Sequence, residues 1–266
     1  MPYPHGHARS GLMLGLLIVS GWELAGRILA IRPSTLPVPT RILMEIWQDS
    51  AGFQTNSLIT ATEMVSGLVL GIVCAVILGS LMYLYPRTQS AVEGLTALWP
   101  AFPMLVVAPL FLVWWGPGFL SKAMVACAFS VLPLIRAVAS GMCSLPDELT
   151  EWLLTSGTRR RRGVVKIFLP SSMPFLFQSL VPACSLALTG ALTAELIAGD
   201  RGLGYLLLVG TAAMDTPLLM ATALVSCTIL TIILVSVRLL RRRLITWPVP
   251  QAADSQFPVG DKAYWT

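Results

Sequence analysis

Six stretches of this chain, at about 11–31, 58–84, 91–115, 119–141, 173–197 and 216–239, are long and apolar enough to cross a bilayer. A spanning helix needs about 20 such residues. Charged residues make up only 12% of the 266 positions, against about 25% in soluble domains. That deficit, with a strongly positive mean hydropathy, points to lipid as solvent. No long run alternates with period two, so the pattern disfavours a lipid-facing barrel. The reading is therefore an all-α integral membrane protein with about six transmembrane helices. Residues 1–10 and 248–266 read as tails, and 11–247 as the membrane domain. The run from Gly11 to Ile31 is long for a signal-peptide core and no clear small-x-small site follows it. It reads as an uncleaved first span.

Basic residues suggest the orientation. Thirteen of the 18 lysines and arginines fall at one side of the spans: Arg9, Arg87, Arg136, Arg159 to Arg162, Lys166, Arg238, Arg241 to Arg243 and Lys262. The other set holds five: Arg27, Arg32, Arg41, Lys122 and Arg201. The first set is expected in the cytoplasm, with both termini. The net charge of +5 follows the spans rather than any aromatic platform, which argues against a nucleic-acid partner.

The densest charge lies between the fourth and fifth stretches, in a loop of about residues 142–172. Ser144-Leu145-Pro146-Asp147 has the form of a capping box, and Asp147, Glu148 and Glu151 suit the first turns of a helix. Leu145, Leu149, Trp152 and Leu153 make one apolar stripe. Gly157 stops that helix. A second helical stretch carries Arg159 to Arg162 and is expected to end before Pro170. The arginines by themselves are explained as a topology anchor. The amphipathic helix suits either the membrane interface or a soluble partner.

Glu151, Gly157, Ile167, Leu169 and Pro170 have the spacing E-x5-G-x9-I-x-L-P. This resembles the "EAA" loop of permease subunits in binding-protein-dependent ABC importers, with Trp152 and Leu153 where the family has two alanines. The resemblance implies the type I ABC importer permease fold and a cytoplasmic coupling loop, about 142–172, whose coupling helix sits in a cleft of a cytoplasmic ATPase. The chain has no G-x-x-x-x-G-K-[ST] cradle. ATP and Mg are then expected on the partner ATPase, with no cofactor in this chain and hydrolysis done by the partner.

A second stretch, P-x2-P-x5-P-L…W-x-G-x-G-x2-S-K, is similar to the nitrate, sulfonate and taurine branch of these permeases. It runs through Pro100, Pro103, Pro109, Leu110, Trp115, Gly116, Gly118, Ser121 and Lys122. "LPVPT" (Leu36 to Thr40) resembles the opening of a short external helix, and "AELIAGDRGLG" (Ala194 to Gly204) also fits the family. The resemblance implies a small anionic solute such as a sulfonate, taurine or nitrate. It implies a second permease copy, either identical or a close relative, and an extracytoplasmic solute-binding protein docking on about 32–57 and 198–215. Its setting would be a bacterial-type inner membrane. Pro100, Pro103 and Pro109 are read either as kinks in a packing helix or as breaks lining the pathway. Glu195, Gly202 and Gly204 are candidates for a gate.

Charge inside the spans is costly and faces a cavity or partner. Glu23 and Arg27, at i and i+4, are expected to pair. Glu63 reads as solvated near the outer end of its span, and Glu93 as wet near the inner end. Four of the five cysteines (Cys74, Cys127, Cys184 and Cys227) lie in apolar runs and read as small hydrophobes. His5 and His7 are the only histidines and sit near the N-terminus. No Ser–His pair or metal cluster suggests itself within the spans. The alternative reading is a secondary transporter or another autonomous multi-span protein, but no inverted repeat is visible.

Overall fold

A computed structural model of the chain describes residues 6–29, 32, 34–101, 103–143, 163 and 168–244. Among them all regular structure is helical. The helices are α1 (Gly6–Ile28), α2 (Pro39–Gln48), α3 (Ser50–Leu84), α4 (Pro86–Leu98), a 3₁₀ turn (Trp99–Ala101), α5 (Met104–Trp115), α6 (Phe119–Cys143), α7 (Leu169–Ala198), α8 (Leu203–Ala212) and α9 (Thr216–Leu244). Four segments within them are long and apolar enough to span a membrane: Ser50–Met82, Phe119–Gly141, Leu169–Ala198 and Thr216–Leu244. α1 covers most of the first candidate stretch and begins at Gly6, so part of the expected tail is helical.

Two local differences from the sequence reading have clear causes. The third candidate span, 91–115, is not one helix. It is divided into α4, the 3₁₀ turn and α5, because Pro100 and Pro103 remove two backbone donors in close succession. α3 starts at Ser50, eight residues before the expected boundary, because the Asp49 side chain accepts from the Gly52 N–H at 3.2 Å and caps it. Pro170 lies in the first turn of α7, where a missing N–H is harmless; the helical stretch expected before it lies largely outside the described residues.

The core is built on α6, which packs between α3 and α7. Contact between α3 and α6 is close enough to exclude a side chain at Gly67. A Cβ there would stand 2.5 Å from the Ala123 carbonyl oxygen and the Ala126 methyl. Small residues at such crossings let membrane helices gain dispersion contacts that lipid cannot match. α5 joins this core through Ala108, which packs with Val125, Phe129 and Ala194. At its C-terminal end Phe111 stacks on Trp115 with ring centroids 5.2 Å apart, and Trp114 stands exposed as expected of an interfacial aromatic.

Two short helices close one end of the bundle. α2 links α1 to α3, and α8 links α7 to α9. Ile42 of α2, Phe53 of α3, Leu203 of α8 and Ala221 of α9 share one small core. α3, with 35 residues, is about 50 Å long at 1.5 Å per residue. That exceeds a hydrocarbon layer of about 30 Å, so its polar first turns reach beyond the lipid at the end where α2 and α8 lie.

Candidate functional site

Glu195 sits three residues before the end of α7, and its side chain is fully buried. The Thr60 hydroxyl of α3 donates to its two oxygens at 2.7 and 3.0 Å, across a chain separation of 135 residues. The Gly204 N–H donates to Glu195 Oε2 at 2.6 Å. The same Thr60 oxygen accepts the Leu203 N–H at 2.8 Å, and Asn56 Oδ1 accepts the Gly202 N–H at 2.7 Å. The first backbone donors of α8, which no preceding turn can satisfy, are thus taken up by side chains of α3 and α7. A carboxylate at this position also faces the positive end of the α8 dipole.

The glycines of "GDRGLG" follow from that arrangement. Gly202 has φ of 107° and ψ of 172°, a conformation kept almost wholly for glycine. A Cβ on Gly202 would lie 2.1 Å from Glu195 Oε1, and one on Gly204 2.5 Å from the Leu192 carbonyl oxygen. The segment wraps a carboxylate of its own chain.

One turn along α3 from Thr60, Glu63 is also buried, beside Glu195. Its Oε1 pairs with Lys122 Nζ at 3.3 Å, and both side chains are 5% exposed or less. Glu63 Oε2 is buried with no hydrogen-bond partner among the described residues. The reading of Glu63 as solvated is therefore corrected. With α3 starting at Ser50, Glu63 lies in its fourth turn rather than its second. Lys122, counted from the sequence among the five cations of the non-cytoplasmic set, is instead the buried counter-charge of two carboxyl groups. The W-x-G-x-G-x2-S-K stretch presents it. Gly116, at φ of 77°, ends α5, the buried Ser121 hydroxyl donates back to the Gly116 carbonyl, and Lys122 emerges in the first turn of α6.

A second carboxylate acts in the same way at α2. Glu23 pairs with Arg27 as expected, with Nε donating at 2.7 Å. It also accepts the Thr40 N–H at 3.0 Å and the Thr40 hydroxyl at 2.8 Å. α2 has no side-chain cap of its own and begins with Pro39. Each short end helix is held at its N-terminus by a glutamate from the span before it.

The other expected site residues are placed as follows. Glu151, Trp152, Leu153, Gly157 and Ile167 lie outside the described residues. Leu169 and Pro170 open α7, with Leu169 packed against the main core. Pro100 is in the 3₁₀ turn, Pro103 precedes α5, and Pro109 lies within α5 facing outward. The prolines are not brought onto Glu195 directly; α5 reaches its neighbour Ala194 through Ala108. The side chain of Glu93 lies outside the described residues. Sequence reasoning missed Thr60 and Asn56, both on α3, and the burial of Lys122 on α6, because what brings them to Glu195, Gly202 and Glu63 is contact between segments far apart in the chain.

Fold and site define an integral membrane protein with bilayer-length helices and polar clasps at one end, the one on Glu195 buried. Residues 67–246 match the family described as "Binding-protein-dependent transport system inner membrane component". The chain belongs to that family: it is a multi-pass inner-membrane permease of the ABC transport class, with the type I importer fold, and a transport subunit rather than an enzyme. Among its relatives is the riboflavin transport system permease protein RibX of Chloroflexus aurantiacus, 32% identical over 89% of this chain and 90% of that protein. The formylaminopyrimidine transport permease protein ThiX of Halalkalibacterium halodurans is 29% identical over 71% and 76%. The taurine transport system permease protein TauC of Escherichia coli is 24% identical over 88% and 87%.

Proposed function

We propose that this permease forms one half of a solute pathway, closed by a second permease copy, and imports a small anionic solute such as a sulfonate, taurine or nitrate. An extracytoplasmic binding protein delivers the solute at the end carrying α2 and α8. Two cytoplasmic ATPase subunits, which hold ATP and Mg, engage the loop at 142–172 through Glu151, Trp152, Leu153 and Gly157. Both termini lie in the cytoplasm. The family match over residues 67–246 carries this reading. The excess of arginine and lysine in the opposite segments supports the orientation.

The clasp on Glu195 supports a gate role for Glu195, Gly202 and Gly204, since it links the turn between α7 and α8 to α3 and, through Lys122, to α6. It does not suit tight binding of an anion, because two carboxyl groups face one ammonium. Affinity then resides in the binding protein, and the pathway releases what it receives.

The relatives named for riboflavin and formylaminopyrimidine favour a second reading, in which the solute is a nitrogen heterocycle. Uptake by the permease, its ATPase and its binding protein in vesicles decides between the two. Accumulation of taurine or an alkanesulfonate supports the anion; accumulation of a flavin or pyrimidine supports the heterocycle. Uptake of either that continues without ATP hydrolysis would remove the importer reading altogether.

A further inference from the structure

Helix α2 presents three different sectors around ten residues, and one of them packs into the core of the chain. Ile42 and Ile46 turn inward onto Phe53, Leu203 and Trp22. Arg41, Glu45 and Gln48, with Met44 at their edge, line an open hollow together with Arg27 and Thr40. The third sector is apolar and bare. Leu43 and Trp47, at i and i+4 and therefore side by side, are 58% and 83% exposed.

We propose that α2 lies in the plane of the membrane surface, with Leu43 and Trp47 seated among lipid at the boundary between headgroups and acyl chains. Three observations favour lipid over a protein partner. The apolar sector is flanked by a charged one, as in helices that lie along an interface with one face in lipid and one in water. Its most exposed residue is tryptophan, whose amphipathic ring favours that depth. And α2 is clamped by Glu23 to α1, which is apolar and exposed as far as Leu24 and Ile28, so α2 begins where a lipid-facing helix ends. A water-soluble binding protein would instead find its polar contacts in the sector of Arg41, Glu45 and Gln48. The inference goes beyond the transport reading and holds for any solute.

A photoreactive benzophenone side chain placed at position 47, at 43, or at 41 tests it. Each full-length permease is assembled with its ATPase and binding protein in vesicles of phosphatidylethanolamine and phosphatidylglycerol, irradiated, and analysed by mass spectrometry. Lipid adducts are expected at 43 and 47 and their loss at 41. Cross-links from 43 and 47 to the binding protein or to the second permease would overturn the proposal, as would equal lipid labelling at all three positions. Solute uptake by the same vesicles tests the transport reading separately.

Discussion

Gly204 and Glu195 meet backbone to carboxylate. The Gly204 N–H donates to Glu195 Oε2 at 2.6 Å, and a Cβ on Gly204 would lie 2.6 Å from the Glu195 Cβ. The contact fixes where α8 starts relative to the end of α7. It also makes the glycines on either side of Leu203 structural requirements of one buried carboxylate.

Glu195→Ala leaves the Gly204 N–H and the Thr60 hydroxyl without their acceptor in a buried site. Each such group costs about 1–3 kcal/mol. A clear fall in the unfolding midpoint of the detergent-purified permease is expected, with weaker solute-stimulated ATPase in the complex. An unchanged midpoint would show that the clasp contributes nothing to the fold.

Gly202→Ala meets two obstacles, a strained backbone and the Glu195 carboxylate. The backbone alone costs about 1–3 kcal/mol. Gly118→Ala serves as the control, since a Cβ there meets nothing within 4 Å. Equal thermal stability of the two variants would refute the assignment.

Lys122→Met leaves Glu63 and Glu195 buried without their cation. Breaking one partner of a buried ion pair costs about 3–5 kcal/mol. Adding Glu63→Met removes one of the two stranded carboxyl groups and is expected to restore much of that loss. A double-mutant cycle on unfolding measures the coupling; simple additivity would mean that the pair does not interact.

Gly157→Pro and Glu151→Lys are expected to leave membrane insertion intact and to separate ATP hydrolysis from uptake. The expectation rests on the helix, bend and acidic face read in the 142–172 loop. Normal solute-stimulated ATPase together with normal uptake in both variants would count against that loop as the coupling element.

Glu23→Gln weakens the hold of α1 on α2. Faster amide exchange at Thr40 and Arg41 is expected, with the rest of the bundle unaffected. Protection unchanged at those two amides would show that Pro39 and the packing of Ile42 suffice to start the helix.

Much of the site was half legible. Glu195 stood out because charge at an apolar span is costly, and the glycine segment because "AELIAGDRGLG" resembles the family. The Glu23–Arg27 pair was readable because helical spacing is local. Lys122 and Glu63 were not readable as a pair: they belong to different helices, and an eight-residue difference in the start of α3 changed Glu63 from a rim residue to a buried one. The division of the third stretch was also present in its prolines, but whether they kink a helix or end it depends on the neighbours that satisfy the freed carbonyls.

By itself the sequence determined a helical membrane protein, since span length and scarcity of charge are properties of consecutive residues. It also carried the permease motifs, which are fixed spacings along one chain. Only the tertiary structure decided which charges are buried and what they hold. That depends on the rotation of each helix about its axis and its offset along its neighbours, and both are set by side-chain packing between segments far apart in the chain.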